Sequence, residues 1–387
     1  MLLNLPQNVT LILDSLEAAG FEAFCVGGCV RDLIMGRNPS DFDITTCALP
    51  EEIKRIFPHT ADTGLKHGTV TVIEGGVPFE VTTYRTEGGY TDRRRPDSVS
   101  FVSDITLDLA RRDFTVNAIA YSPKRGLCDP YGGCDDIKAK ILRAVGDPKQ
   151  RFNEDALRIL RLFRFESQLG FSAHPDTRSA ALTLAHTLSV VSRERIATEL
   201  IKSALGENPD AIEPLISFGG LEFIGIKGCK GLSELSALPK EQNLRLFAIL
   251  SLCDCDIAAV TEELKLSTAI TNYCQGMEKI LAYGLPKGRV EIKKLLRDFG
   301  EDCVFDLLTY SKAVNGTDTT KSVTETEDII ASGEPYKIKM LDIRGNDLIK
   351  LGINGRDIGI TLSMLLDRVI LNPLLNTKQE LLNIAKP

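Results

Sequence analysis

Asp41 and Asp43, in D-F-D-I, are the side chains of this sequence best spaced to do chemistry. In an extended strand, residues two apart share a face. The spacing therefore predicts that both carboxylates project together while Phe42 and Ile44 turn into a core. Two ionised carboxylates side by side repel unless a cation lies between them, and a hard divalent ion such as Mg²⁺ takes oxygen ligands of this kind. The plainer alternative is a solvated turn after Asn38-Pro39, but apolar residues on both flanks favour a strand beside a core. Two-metal phosphoryl transfer usually wants a third carboxylate on a neighbouring strand. Glu80, in V-P-F-E-V-T-T-Y-R, is the best candidate for it, with an outward-facing strand glutamate as the alternative.

Just upstream, E-A-F-C-V-G-G-C-V-R-D reads as strand, Gly27-Gly28, then helix. Glycines let a backbone approach a polyanion, the helix start points free amides at it, and Arg31 adds a guanidinium able to neutralise phosphate. A Gly-Gly before a helix is often only a tight turn, so its weight comes from the carboxylates nearby. Further on, Arg111-Arg112 stand before Asp113, read as a helix cap, and alone would be a solvated charge pair. The segment from Glu154 is read as one helix. At 100° per residue Glu154, Asp155, Arg158 and Arg161 fall within about a third of its circumference, opposite Ala156, Ile159, Leu160 and Phe163. Glu154 and Arg158 are also an i, i+4 pair, so these residues by themselves describe an ordinary salt-bridged surface.

The elements that must position these groups change character along the chain. Between about 21 and 145 the text is strand-rich and glycine-punctuated: E-A-F-C-V, D-F-D-I-T-T, G-T-V-T-V-I and P-F-E-V-T-T-Y-R read as strands, with a turn at Gly75-Gly76, and V-R-D-L-I-M-G and P-E-E-I-K-R-I-F as helices. From about 150 helical periodicity takes over, interrupted by a polar stretch, N-G-T-D-T-T-K-S-V-T-E-T-E-D (315–328), read as a linker or loop. The expected class is α+β: a head with a mixed or antiparallel sheet, followed by an elongated all-helical remainder.

Composition sets bounds. The chain of 387 residues is 43% hydrophobic and 26% charged, ordinary for a globular protein. Its ten cysteines show no C-x-x-C and its histidines number four, so the cysteines read as reduced thiols of a cytoplasmic protein rather than zinc ligands. The N-terminal apolar run contains Asp14 and Glu17 and reads as an amphipathic helix, not a signal peptide, and no segment is apolar enough to span a membrane. A net charge of −7 argues only weakly against nucleic acid, because local basic clusters govern such binding.

G-G-x-x-R-D followed by D-x-D resembles the nucleotidyltransferase superfamily of DNA polymerase β. R-R-D-F-T-V-N-A-I-A-Y (111–121), D-P-Y-G-G (129–133) and V-G-D-P-K-Q-R-F-N-E-D-A-L-R-I-L-R-L-F-R-F (145–165) are similar to class II tRNA nucleotidyltransferases and bacterial poly(A) polymerases, in the family's order and over nearly the whole N-terminal half. The resemblance implies a polymerase-β-like catalytic head over 1–145, a base-recognising neck over 146–206, a helical body over 207–330 and a tRNA-binding tail over 331–387. It implies that Asp41 and Asp43 hold Mg²⁺, that Gly27, Gly28 and Arg31 contact the nucleotide, and that Arg112 reaches the triphosphate. Asp113 and Asn117 belong to the same nucleotide site. Asp155 and Arg158 match the pair that reads the incoming base, with Arg161 and Arg164 lining the pocket.

Such a pair has a physical basis. Cytosine and adenine both present an amino donor beside an unprotonated ring nitrogen; a carboxylate accepts from the first and a guanidinium donates to the second. Uracil and guanine present the reverse order and would leave buried charges unpaired. The stretch Y-R-T-E-G-G-Y-T-D-R-R-R-P-D-S-V-S-F (84–101) matches the family's flexible loop, which relatives adding only C tend to have lost; Arg93, Arg94 and Arg95 are equally a solvated basic turn. The implied activity is template-independent building of the tRNA 3′ CCA end from CTP and ATP, with tRNA bound through its acceptor and T arms. Poly(A) synthesis, or the A-adding step alone, is the runner-up. A non-catalytic RNA-binding relative would have lost Asp41 and Asp43, and a His-Asp phosphohydrolase appendage is excluded because no His-Asp dipeptide occurs. Monomer and homodimer are both compatible with the sequence.

Overall fold

The opening apolar run forms helix α1 (Gln7–Ala18), directly after Pro6, and buries Val9, Ile12, Leu13 and Leu16, the stripe its periodicity predicts. The computed structural model of the chain describes residues 2–64, 67–89 and 98–386; Arg93, Arg94 and Arg95 lie outside the described residues. After α1 come β1 (Ala23–Val26), α2 (Gly28–Ile34), β2 (Asp43–Thr46), α3 (Pro50–Ile56), β3 (Thr60–Gly64), β4 (Thr69–Glu74) and β5 (Val77–Thr83). A separate hairpin pairs β6 (Arg85–Gly88) with β7 (Ser98–Phe101). Helix α4 (Ile105–Ala110), β8 (Ala120–Ser122) and β9 (Gly126–Cys128) complete a seven-stranded sheet of order β3-β4-β5-β2-β1-β8-β9. Its pairs are antiparallel apart from β2 beside β5. Gly75 and Gly76 join β4 to β5 with φ of +59° and +80°, the double positive φ that a two-residue hairpin turn needs.

Two readings of the sequence need correction here. Strand β2 starts at Asp43, so Asp41 lies in the loop before it, and Phe42 is only half-buried. The cause is the partner strand: β1 ends at Val26, opposite Asp43, where Gly27 turns the chain away, and no ladder remains for Asp41 to join. The segment from Glu154 is not one helix. Helix α5 (Gly133–Ala139) is followed by β10 (Ile141–Leu142) and α6 (Pro148–Glu154); Asp155 is extended, at φ −136° and ψ 106°, and α7 (Leu157–Leu169) begins afresh. Asp155 causes the break by turning its Oδ1 to accept the Leu157 amide at 3.0 Å, the local competition with helix that short acidic side chains offer. Ala156, Ile159, Leu160 and Phe163 are fully buried as expected, but Arg158 and Arg164 are buried too, so α7 is enclosed nearly all round. Strand β11 (Ser172–Ala173) pairs with β10, and α8 (Pro175–Thr183), α9 (Arg193–Ala204) and α10 (Glu213–Ser217) follow.

The chain divides into two compact units, 1–230 with 263–265, and 231–262 with 266–387. The second holds α11 (Gln242–Leu252), most of α12 (Ile257–Glu263), α13 (Thr268–Tyr283), α14 (Arg289–Phe299), α15 (Glu301–Asn315), α16 (Thr320–Ala331), α17 (Gly345–Ile349), α18 (Arg356–Leu371) and α19 (Lys378–Ala385). The polar stretch read as a loop is helical from Thr320 onward: Thr326 and Ile329 are buried, and Thr326 satisfies its hydroxyl on the Ser322 carbonyl at 2.7 Å. A sparse stripe that includes a self-bonded threonine does not register as apolar periodicity. Leu348, Leu365, Val369, Ile370 and Leu381 form the core of the C-terminal helices. Among the described residues no helix is long and apolar enough to cross a membrane.

One glycine ties D-P-Y-G-G to the head. Asp129 accepts from the Gly133 and Cys134 amides at 2.7 and 2.8 Å, capping α5. A Cβ on Gly133 would stand 2.2 Å from the Thr115 carbonyl oxygen, in the 3₁₀ turn Thr115–Asn117. Gly132, at φ +71°, has nothing within 4 Å of such an atom. Gly133→Ala must move backbone, a cost of roughly 1–3 kcal/mol or more for overpacking. Gly132→Ala meets only the left-handed penalty of about 1–2 kcal/mol. Urea unfolding is expected to rank Gly133→Ala as the more destabilised; the reverse ranking would remove the close approach as a constraint.

Candidate active site

A cleft of about 650 Å³ opens at the edge of β2 and β5 and is lined by Asp41, Asp43 and Glu80. The parallel ladder pairs Ile44 with Val81, so one step earlier it sets Asp43 beside Glu80. Asp43 keeps a solvent-exposed face, yet its carboxyl is raised above the ordinary aspartate value. Crowding by protein is the main cause; Asp41 and Glu80 add to it and the Arg112 guanidinium opposes it. Uncompensated negative charge on hard oxygen donors fits a divalent cation. Among the described residues, no three acidic, histidine or cysteine side chains are grouped closely enough to hold one ion. The cleft thus unites the two aspartates with Glu80 without making a three-carboxylate cage.

Gly27 turns the chain out of β1 at φ +80° and donates its amide to the Ile119 carbonyl at 3.1 Å. A Cβ there would lie 2.9 Å from Nη1 of Arg112, so the turn and that guanidinium are in close approach. Arg112 is 19% exposed, its Nη2 stands 3.7 Å from Asp108, and its buried Nε has no hydrogen-bond partner among the described residues. Burial lowers its affinity for the proton. Arg111 is committed elsewhere, to Asp108 at 2.9 Å and Glu87 at 3.2 Å. The pair is therefore not solvated, and its two members have different work.

Asp113 is not a helix cap. Its Oδ1 accepts from the Phe114 amide at 2.8 Å and from Asn117 Nδ2 at 3.1 Å, while its Oδ2 accepts from Arg161 Nε at 2.7 Å. Asn117 passes the connection on, accepting Arg31 Nη1 at 2.6 Å. Burial by itself would raise the Asp113 carboxyl, but the charge of Arg161, the Asn117 hydrogen bond and the charge of Arg158 outweigh it and hold the group well below the usual carboxylate range. Arg31, Asn117, Asp113 and Arg161 thus form one continuous hydrogen-bonded chain between α2 and α7, buried except at Arg161, whose side chain is half-buried. Arg164 sits 3.0 Å from Glu199 and is pushed down to about 10, first by burial and then by the charge of Arg161.

Arg158 donates to the Arg151 carbonyl at 3.1 Å, to Glu154 at 2.7 Å and to the Arg111 carbonyl at 2.8 Å. The Glu154 pair expected from the sequence is present, but it is buried rather than a solvated surface. Asp155 uses one oxygen on the Leu157 amide and the other on Arg195 Nη2, at 2.8 Å, so it is braced from both α7 and α9. Each of its oxygens still has acceptor capacity. Sequence reasoning missed Arg195 and Glu199, whose i, i+4 spacing in R-E-R-I-A-T-E-L sets them on one face of α9. It also missed Asp108, three and four residues before the arginines it serves, and Phe165, whose ring meets three guanidinium groups.

Comparison with known proteins bears on this geometry. Residues 23–143 match the family model described as "Poly A polymerase head domain", and 170–224 match "Probable RNA and SrmB- binding site of polymerase A". The chain is 46% identical to the CCA-adding enzyme of Lactobacillus delbrueckii subsp. bulgaricus over 237 residues, spanning 60% of each chain. It is 36% identical to that of Lactobacillus helveticus over 376 residues, 95% of this chain and 93% of the relative. A crystal structure of the Bacillus stearothermophilus CCA-adding enzyme in complex with CTP superposes with a TM-score of 0.83 at 30% identity, covering 98% of this chain and 96% of that one. The likeness thus runs along nearly the whole of this chain and of such proteins, and the chain belongs to the CCA-adding enzyme family.

Proposed function

We propose that this protein is a template-independent tRNA nucleotidyltransferase that builds or repairs the 3′ CCA end from CTP and ATP in the cytoplasm, releasing pyrophosphate. The observation that carries the reading is the likeness to CCA-adding enzymes along nearly the whole chain, which includes a CTP complex. Poly(A) synthesis is favoured only by the descriptions of the two family-model matches, over 23–143 and 170–224. In this reading 1–145 is the catalytic head, 146–206 the neck that reads the base, 207–330 the body, and 331–387 a tail that holds the tRNA by shape and backbone.

The tRNA terminal hydroxyl attacks the α-phosphate at the cleft of Asp41 and Asp43, with Glu80 beside them. Mg²⁺ held by the two aspartates supplies Lewis-acid activation and charge neutralisation there. The residues of the chain do the rest. Gly27 and Gly28 let the triphosphate approach the backbone, and Arg31, Arg112, Arg161 and Arg164 oppose its charge as pyrophosphate departs. Asn117 and Asp113 keep Arg31 and Arg161 aimed. Asp155 accepts from the amino group of C or A, while a free N–H of Arg158 donates to the adjacent ring nitrogen. Because Arg195 and Glu154 brace that pair from the protein side, the same edge is offered to both bases.

Asp41→Ala and Asp43→Ala are each expected to abolish nucleotide addition while leaving tRNA binding and the melting temperature nearly unchanged. Turnover close to wild type in either variant would remove the metal role from that residue.

Asp155→Ala is expected to slow CTP and ATP incorporation and to relax discrimination against UTP and GTP. Each component should move by about 10- to 100-fold, on the scale of a buried charged hydrogen bond. Because Asp155 also caps α7, Asp155→Asn serves as the companion that keeps an oxygen for the Leu157 amide. Single-turnover incorporation of all four nucleotides onto tRNA lacking its end is the measurement. Uniform slowing with an intact preference for C and A would move base reading elsewhere.

A further inference from the structure

We infer that Phe165 is a positioning residue for nucleotide binding: its ring is the platform on which Arg31, Arg161 and Arg164 converge. The inference rests on the reading of those arginines as nucleotide ligands. Their guanidinium carbons stand 5.3, 5.3 and 4.1 Å from the centroid of this one ring. The ring is buried, and Phe114, from R-R-D-F, meets it edge-on at 5.8 Å and 87°. Two motifs separated in sequence by about fifty residues therefore meet ring against ring, with Arg161 and Arg164 of the second and Arg31 of α2 over the Phe165 ring.

Three cations so close together repel one another, and a desolvated ring face attracts a guanidinium without adding charge. That neutrality matters. Arg31 has Asp32 at 2.8 Å, Arg161 has Asp113 at 2.5 Å and Arg164 has Glu199 at 3.0 Å, so the carboxylates already balance the cluster one for one. A further anion at the centre would turn it against a polyphosphate, whereas an aromatic ring gathers the cations and leaves the balance alone. Arg164 depends on the ring most. Its Nε and Oε2 of Glu199 are near neighbours, but neither atom makes a directional hydrogen bond among the described residues. That guanidinium is thus placed over the ring face at 4.1 Å, with the carboxylate holding it by charge rather than by a directional hydrogen bond. Arg31 and Arg161, by contrast, have hydrogen-bonded partners as well as the ring.

The test separates the electronic role of the ring from its packing. In the full-length protein Phe165 is replaced, by nonsense suppression, with phenylalanines carrying one, three and five fluorines, which keep the shape of the ring while draining its face of negative potential. Dissociation constants for CTP and ATP are measured with Mg²⁺ by equilibrium dialysis, alongside melting temperatures. Affinity for both nucleotides should fall in step with fluorination, by about tenfold at five fluorines, on the scale of a desolvated cation–π contact. Phe165→Tyr should bind both within about twofold of wild type, and Phe165→Leu, if folded, should resemble the five-fluorine protein. Affinities that stay flat across the series overturn the platform and leave Phe165 as packing. Wild-type protein that binds neither nucleotide overturns the nucleotide reading itself, and this inference with it.

Discussion

The buried carboxylate of Asp113 is the constraint from which the site is built. An ionised group at this depth has to be paired and hydrogen-bonded, and removing one member of such a pair typically costs about 3–5 kcal/mol because the other is left stranded. Asp113 meets the requirement with three partners from different places: the following backbone amide, the side chain of Asn117 and the guanidinium of Arg161. Each partner fixes something else. The 3₁₀ turn that presents Asn117 needs Gly133 against its backbone, Asn117 fixes Arg31 on α2, and Arg161 sets the face that α7 turns to the head. The sheet supplies the frame, and this one anion aligns the helices upon it.

The same logic explains why α7 tolerates buried arginines. A helix enclosed nearly all round would ordinarily be apolar all round. Here Arg158 is held by backbone carbonyls and Glu154, and Arg164 by Phe165 and Glu199, so their charge is kept inside the protein and held ready rather than spread into solvent. Held cations lose less freedom on meeting a polyphosphate than lysines on a surface would, and pre-organisation of this kind is how electrostatic stabilisation acts without reorganisation at the moment of reaction.

Much of this was legible in the residues. Alternation and β-branching mark β1, β4 and β5, the Gly-Gly pairs mark the turns, and helical periodicity marks the apolar face of α7. The rest was decided partly by partners distant in the chain and partly by local hydrogen bonds. Asp41 left the strand because β1 stops at Gly27, which no property of D-F-D-I encodes. Asp155 broke its helix by a local hydrogen bond that helical periodicity ignores. Arg195, Glu199 and Phe165 became part of the site only through tertiary packing, and α16 hid its buried stripe behind threonines. The resemblance implies that Arg112 rather than Arg111 reaches the triphosphate, and the geometry sets the two apart independently: Nε of Arg112 has no partner among the described residues, whereas Arg111 is engaged by Asp108 and Glu87.

The early end of β1 has one more consequence. Asp43 is registered opposite Val26 in the β1 ladder, directly before the residue that opens the β5 ladder, whereas Asp41 takes its position from the connection that follows α2. The two carboxylates therefore answer to different parts of the chain. Lengthening or shortening the 36–40 connection shifts one of them and leaves the other pinned, so the gap between them is an adjustable dimension of the site, tunable by loop length without disturbing the sheet.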